Sequence, residues 1–282
     1  MLRTSKNSFP GFGIGEFSID SVAFSIGSIE IAWYAVIITL GMIVAVTHII
    51  YRSRQIGMDF DTVIDYVLFT IPIGVIGARL YYVLAEIENF DSFKEVINIR
   101  SGGLAIYGGI IAGAISVFVI SRVKKISFLA FADCCTPGIL LAQGIGRWGN
   151  FANGEAFGGE TDIFCRMGLN NFLTDYQTVF VHPTFLYESL WNILGFVIAN
   201  IFHKKRQYDG QVFLFIFGWY GLGRMFIEGL RSDSLYGSIF GIQFRISQVL
   251  AALIFVACVS ALVYFAIRRP KKELYIYKKN GK

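Results

Sequence analysis

The sequence predicts a polytopic, all-α membrane protein with about seven transmembrane helices, its N-terminus outside and its C-terminus in the cytoplasm. Three observations predict it. First, 55% of the 282 residues are hydrophobic and only 16% are charged, against about 25% charged in an ordinary soluble domain; mean hydropathy is +0.57. One soluble core cannot hide that much apolar surface. Second, the apolar residues fall in runs of the roughly 20 residues that a bilayer core requires. Third, the net charge of +5 is gathered in short basic blocks between alternate runs, which is a topology signal rather than a nucleic-acid surface. Disorder is excluded by the hydrophobicity. A disulfide scaffold is excluded by four cysteines in 282 residues. No metal centre is expected, since His48, His182 and His203 are scattered and no CxxC spacing occurs.

The segments run in order over 29–50, 61–86, 102–121, 127–148, 183–202, 211–230 and 244–267. Each is expected to be helical, because a spanning segment must satisfy its own backbone. Residues 1–28 are mixed and Gly-rich, with no cleavable signal peptide visible. Arg52 and Arg54 follow segment 1. Arg122, Lys124 and Lys125 follow segment 3, and Lys204, Lys205 and Arg206 follow segment 5. The positive-inside rule then orients the chain as stated. It reads as a single integral membrane domain over 1–282, with an outer-face polar segment at 149–182 and a basic cytoplasmic tail at 268–282.

Ionisable residues at membrane depth are costly and mark function by default. The topology places Arg79, Arg147, Asn150, Asn153, Arg224, Glu228 and Arg231 at the outer ends of rising segments. It places Tyr34, Tyr107, His182, Tyr187 and Glu188 in the first turns of descending ones. All then share one depth at the outer leaflet. Arg224, Glu228 and Arg231 lie at i, i+4 and i+7, on one helix face. Four arginines against Glu188 and Glu228 leave a positive surplus, and arginine binds phosphate bidentately. The alternative is that these arginines snorkel to the interface as anchors. The cationic level suits an anionic phospholipid headgroup.

The stretch GIGRWGNFANGEAFGG (144–159) is glycine-dense and carries Arg147, Asn150, Asn153, Glu155 and Gly158. It reads either as a ligand-approaching turn or as a helix end breaking into a polar loop. Gly109 and Gly113 form a GxxxG packing face. Tyr107 is open between an aromatic-belt residue and a site residue. His182 reads as a cap or interfacial residue more readily than as a base. Pro183 suits a first helical turn.

The elements GRWGNFANGEAFG (146–158), HPTFLYES (182–189), GGLAIYGGIIAG (102–113) and GRMFIEGLR (223–231) together resemble the bacterial prolipoprotein diacylglyceryl transferases over nearly the whole chain. The resemblance implies a seven-helix plasma-membrane enzyme without a cofactor. It implies transfer of the diacylglyceryl group of phosphatidylglycerol to the lipobox cysteine of prolipoproteins, giving a thioether and glycerol phosphate. It makes Arg147 the lipid-binding arginine, Asn150, Glu155 and Gly158 the motif residues, Arg224 and Glu228 a helix-borne pair, and Tyr34 the tyrosine of the first helix. Tyr107 stands where many members have a histidine proposed as the base, so that base does not carry over. Tyr107, Tyr34, Glu155, Arg224 and Glu228 are thus expected to be catalytic. Arg147, Asn150, Asn153, Gly158, Arg79, Arg231 and His182 are expected to bind substrate. The competing reading is a transporter or flippase for an anionic lipid or solute, which calls for internal repeats and a polar site at the midplane. No convincing repeat is visible in the sequence.

Overall fold

The computed structural model describes residues 4–90, 92–99, 102–234, 236–239, 242–268 and 274–277. Most of the expected basic tail, at 269–273 and 278–282, lies outside them. Among the described residues, seven helices are long and apolar enough to cross a membrane, one for each expected segment. They are α1 (Trp33–Ser53), α2 (Phe60–Ala85), α4 (Ile106–Val123), α5 (Phe128–Asn153), α6 (Thr184–His203), α7 (Gln211–Ile227) and α8 (Ile246–Arg268), with a short α3 (Phe93–Ile97) between α2 and α4. Asp59 caps α2 by accepting from the Thr62 N–H at 3.0 Å, as short acceptor side chains do at helix starts. Pro72 and Pro137 sit inside α2 and α5; membrane helices tolerate such breaks where neighbours satisfy the freed carbonyls. Pro183 precedes the first residue of α6 rather than lying within its first turn.

The helices are not the whole fold. The mixed N-terminal residues form β1 (Thr4–Phe9), β2 (Ile14–Asp20), β3 (Val22–Ile26) and β4 (Ile29–Ala32). Later residues add β5 (Met167–Asn170), β6 (Val179–Val181), β7 (Tyr236–Ile239) and β8 (Ile242–Arg245). One antiparallel sheet has the order β2-β1-β5-β6, with Lys6 opposite Asn170 and Met167 opposite Val181. β3–β4 and β7–β8 are separate pairs. The polar segment 149–182 is therefore partly ordered, as the end of α5 and as the paired strands β5 and β6.

The described residues form two compact units. One comprises 4–48 and 135–268, the other 49–134 and 274–277. In the first unit, Met167, Leu169, Val181 and Phe185 form a buried cluster that seats the sheet on the start of α6. Phe151 near the end of α5 stacks on Phe185 at 4.5 Å between ring centres. α6 and α7 are joined by a reciprocal tryptophan pair. Trp191 and Trp219 stack at 4.3 Å, and each indole N–H donates to the other's carbonyl at 2.9 Å. Gly195 and Gly223 make room for the indoles: a Cβ at Gly223 would lie 2.2 Å from Trp191 Nε1. Gly223→Ala is therefore expected to cost about 1–3 kcal/mol through overpacking, read as a lower thermal midpoint and a weaker near-ultraviolet tryptophan signal in detergent. An unchanged midpoint would mean the helices do not need this approach.

In the second unit, α2 packs on α4 through small residues, as membrane helices without a hydrophobic driving force do. The tightest points are Gly77 and Gly108, where a Cβ on Gly108 would lie 2.3 Å from the Gly77 carbonyl oxygen. The expected Gly109/Gly113 pair is looser, with nearest approaches of 3.4 and 3.7 Å. Lys124 pairs with Asp65 at 2.6 Å.

Candidate active site

The end of α5, the start of α6 and the end of α7 meet at one end of the first unit, and their charged side chains interlock. Glu188 is the hub. Its Oε2 takes Arg147 Nη2 at 2.6 Å, and its Oε1 takes Arg224 Nη1 at 2.9 Å and Arg231 Nη1 at 3.4 Å. Arg224 Nη2 also pairs with Glu228 Oε2 at 2.5 Å. Among the described residues no hydrogen bond reaches Glu228 Oε2, so the Arg224 contact is an ion pair. Glu188 and Glu228 are almost wholly buried, and Arg147, with a side chain 21% exposed, is the most open of the three guanidiniums. The tryptophan pair lies three residues beyond Glu188 on α6 and five before Arg224 on α7, so it fixes the register at which the two charges meet.

Beyond this core, Arg231 forms a fork onto Asp233, Nε to Oδ1 at 2.9 Å and Nη2 to Oδ2 at 2.6 Å. Burial works against the Asp233 charge, but the hydrogen bonds and positive charge of Arg231 outweigh it and hold the carboxyl below its usual range. Arg245 donates to the Glu228 carbonyl at 2.7 Å, and Gln248 to that of Met225 at 2.8 Å. Together they fasten the end of α7.

The glycine-dense stretch divides in two. Arg147, Asn150 and Asn153 lie on α5, which runs past the expected end at 148; Glu155 to Gly159 form the turn after it. Arg147 Nη1 donates to Asn150 Oδ1 at 3.3 Å. Asn150 Nδ2 and Asn153 Nδ2 both donate to Glu155 Oε1, at 3.1 and 3.2 Å. Glu155 is thus oriented by two neutral amides, and no cation pairs with it among the described residues. The turn is stapled by backbone bonds: Gly158 N–H to the His182 carbonyl at 2.9 Å, and Gly159 N–H to that of Leu230 at 2.8 Å. Gly158 is needed for this approach, because a Cβ there would lie 2.8 Å from the Leu230 oxygen and 2.6 Å from His182 Cβ.

Of the other expected site residues, Tyr34 lays its ring on α5 at Gly149, and His182 Nδ1 meets Tyr187 Oη at 3.4 Å. Tyr107 and Arg79 belong to the second unit. Tyr107 is 40% exposed in the first turn of α4. Arg79 is 7% exposed and gives its donors to four backbone carbonyls.

The expected cationic surplus needs correction. The sequence count set four arginines against two acids and left out Asp233. With it, Arg147, Arg224 and Arg231 pair with Glu188, Glu228 and Asp233, Arg245 adds a fourth guanidinium at the Glu228 carbonyl, and Arg79 is spent on carbonyls, so the expected surplus of two falls to one. Glu188 figured there only as one of two acids, although it holds the cluster. Arg245 was missed as well, although it fell at the start of the last expected segment, 244–267; the structure places it at the end of β8, just before α8.

Seven bilayer-length helices and a buried arginine–carboxylate cluster at one end of three of them define a polytopic membrane protein with a charged site. A description of the prolipoprotein diacylglyceryl transferase family matches residues 21–264. The chain is 42% identical to a phosphatidylglycerol–prolipoprotein diacylglyceryl transferase of Clostridium perfringens over 92% of its own length and 99% of that protein's. It is 40% identical to the enzymes so named from Listeria monocytogenes serotype 4a, with 96% and 98% covered, and Enterococcus faecalis, with 92% and 94% covered. The chain belongs to the prolipoprotein diacylglyceryl transferase family, and is a transferase.

Proposed function

We propose that this protein transfers the diacylglyceryl group of phosphatidylglycerol to the lipobox cysteine of prolipoproteins, in a bacterial plasma membrane, with its N-terminus and the charged site on the outer side. The observation that carries the reading is the bridging of Arg147, Arg224 and Arg231 by one buried carboxylate at the end of three spanning helices. A transporter is not favoured: the charges sit at helix ends, not near mid-span, where transporters bind their cargo.

The chemistry assigns the roles. The client sulfur attacks the glyceryl carbon that carries the phosphate. A C–S bond forms, the C–O bond breaks, and its electron pair leaves on the phosphate of glycerol phosphate. Negative charge on that phosphate rises by one, and preorganised guanidinium groups stabilise such developing charge. Arg147 is the residue to meet it, being the most open of the three. Arg224, Glu228, Arg231 and Glu188 hold Arg147 in place and supply the surrounding field. The thiol must first lose its proton, because the thiolate is the nucleophile. Arg147, Arg224 and Arg231 each already pair with a carboxylate, which weakens the field that would lower the thiol's pKa unaided. Glu155 then takes the proton, aimed by Asn150 and Asn153. Gly158 and the His182 backbone keep the turn closed. Tyr34 and Tyr107 supply hydroxyl donors to substrate.

The test uses purified protein, phosphatidylglycerol and a lipobox peptide. The expected result is a peptide heavier by one diacylglyceryl group, with glycerol phosphate released in equal amount; an unmodified peptide overturns the reading. Arg147→Lys is expected to lose transfer by at least about tenfold with normal membrane insertion, since lysine cannot make the paired contacts of a guanidinium. Wild-type turnover in that variant removes Arg147 from the phosphate.

A further inference from the structure

Arg79 has the residue type and helix position of a phosphate binder, yet its bonds go elsewhere. Nε donates to the Val96 carbonyl at 2.8 Å and Nη2 to that of Glu95 at 2.7 Å. Nη1 donates to the carbonyls of Gly102 and Gly103, at 2.7 and 2.8 Å. Tyr82 and Phe90 lie against the guanidinium, with ring centres 5.7 and 5.2 Å from its central carbon. Five donors in a rigid fork suit such a task, and a lysine ammonium does not reproduce it. The two glycines adopt φ +90° and +76°, a left-handed pair that turns both carbonyls onto one nitrogen. A Cβ on Gly103 would lie 2.5 Å from Arg79 Nη1.

Directly after this clamp the chain enters α4. The Ala105 N–H donates to the carbonyl of Ala78, the neighbour of Arg79, at 3.0 Å. Gly108 then presses on Gly77 and Tyr81. Tyr107 sits between these two anchors, its ring exposed. α2 therefore grips α4 just before and just after Tyr107, and Arg79 closes the first grip.

We propose that Arg79 is a positioning residue for the transfer reaction, which clamps the segment between α2 and α4 and so sets the place of the Tyr107 hydroxyl, rather than a ligand of the lipid phosphate. The proposal rests on the reading of Tyr107 as a residue that touches substrate. A displaced hydroxyl slows the chemical step without weakening lipid binding, because misplacement by about 1 Å costs up to a hundredfold in rate.

The experiment compares Arg79→Lys, Gly102→Ala, Tyr107→Phe and the double variant Arg79→Lys/Tyr107→Phe with the wild type in the transfer assay. Gly102→Ala meets no neighbouring atom and acts only through its positive φ, so it serves where Arg79→Lys fails to fold. Either single change at the clamp is expected to lower kcat on the order of tenfold, with KM for phosphatidylglycerol within about twofold. In the Tyr107→Phe background the further loss from Arg79→Lys is expected to shrink below about twofold, because residues acting through one contact are not additive. A tenfold rise in KM at constant kcat, or fully additive losses, overturns the proposal. Amide exchange of 102–108 gives a readout independent of activity: faster exchange in Arg79→Lys is expected, and unchanged exchange also overturns it. A wild-type protein without transfer activity, but with exchange altered in Arg79→Lys, refutes the functional reading while leaving the clamp standing.

Discussion

Glu188→Gln is expected to abolish diacylglyceryl transfer and to lower the thermal midpoint of the protein in detergent. Glu188 takes three arginines, from α5, α7 and the turn after α7, on two oxygens, with its side chain 4% exposed. Removing its charge leaves Arg147, Arg224 and Arg231 against Glu228 and Asp233 alone, an uncompensated charge in a poorly solvated place. Breaking a buried ion pair from one side costs about 3–5 kcal/mol, and here one change breaks three contacts. Glutamine keeps the shape and one carbonyl acceptor, so the loss reports on charge rather than on a cavity. The paired measurement is Glu188→Gln/Arg224→Gln. If the two residues act as one unit, the double variant is no less stable than Glu188→Gln, because it removes a stranded cation along with the anion. A Glu188→Gln protein with wild-type stability and turnover would show that the arginines do not depend on the hub.

The helices were legible because hydrocarbon leaves the chain few options: about 20 apolar residues per span, each satisfying its own backbone. The strands were not legible, because they run from three to seven residues and β1 pairs with β5 across more than 150 positions. Pairing at that distance leaves no local periodicity to read. Run lengths and loop charges led to the expectation of one depth for Arg147, Glu188, Arg224 and Glu228, and their ion pairs join them at one end of α5, α6 and α7. Asp233 escaped notice because it lies past the apolar run, in a stretch where an acid has no cost to explain. Arg79 marks the limit of reasoning from depth. Its residue type and its expected level match those of Arg147, but its partners are backbone carbonyls of a glycine turn, which composition does not encode.

Replacing Glu155 by glutamine is expected to lower kcat by about 10²–10⁴, the usual worth of a positioned general base, with KM for phosphatidylglycerol little changed. The substitution keeps an oxygen to accept from Asn150 and Asn153, so the turn and its staple through Gly158 and Gly159 are retained. What is lost is the capacity to take a proton. The client thiol then depends on solvent for its ionisation, and a free cysteine ionises near pKa ~8.5. The ratio of wild-type to variant rate is therefore expected to be largest near pH 6–7 and to fall as pH rises past about 8.5, where the thiolate forms without help. An effect confined to lipid binding predicts the opposite pattern: a ratio independent of pH and a raised KM. A pH-independent deficit at unchanged KM would leave Glu155 as an orienting group and return proton removal to another residue. The arginine cluster is a poorer candidate for that task, since Arg147, Arg224 and Arg231 each already face a carboxylate.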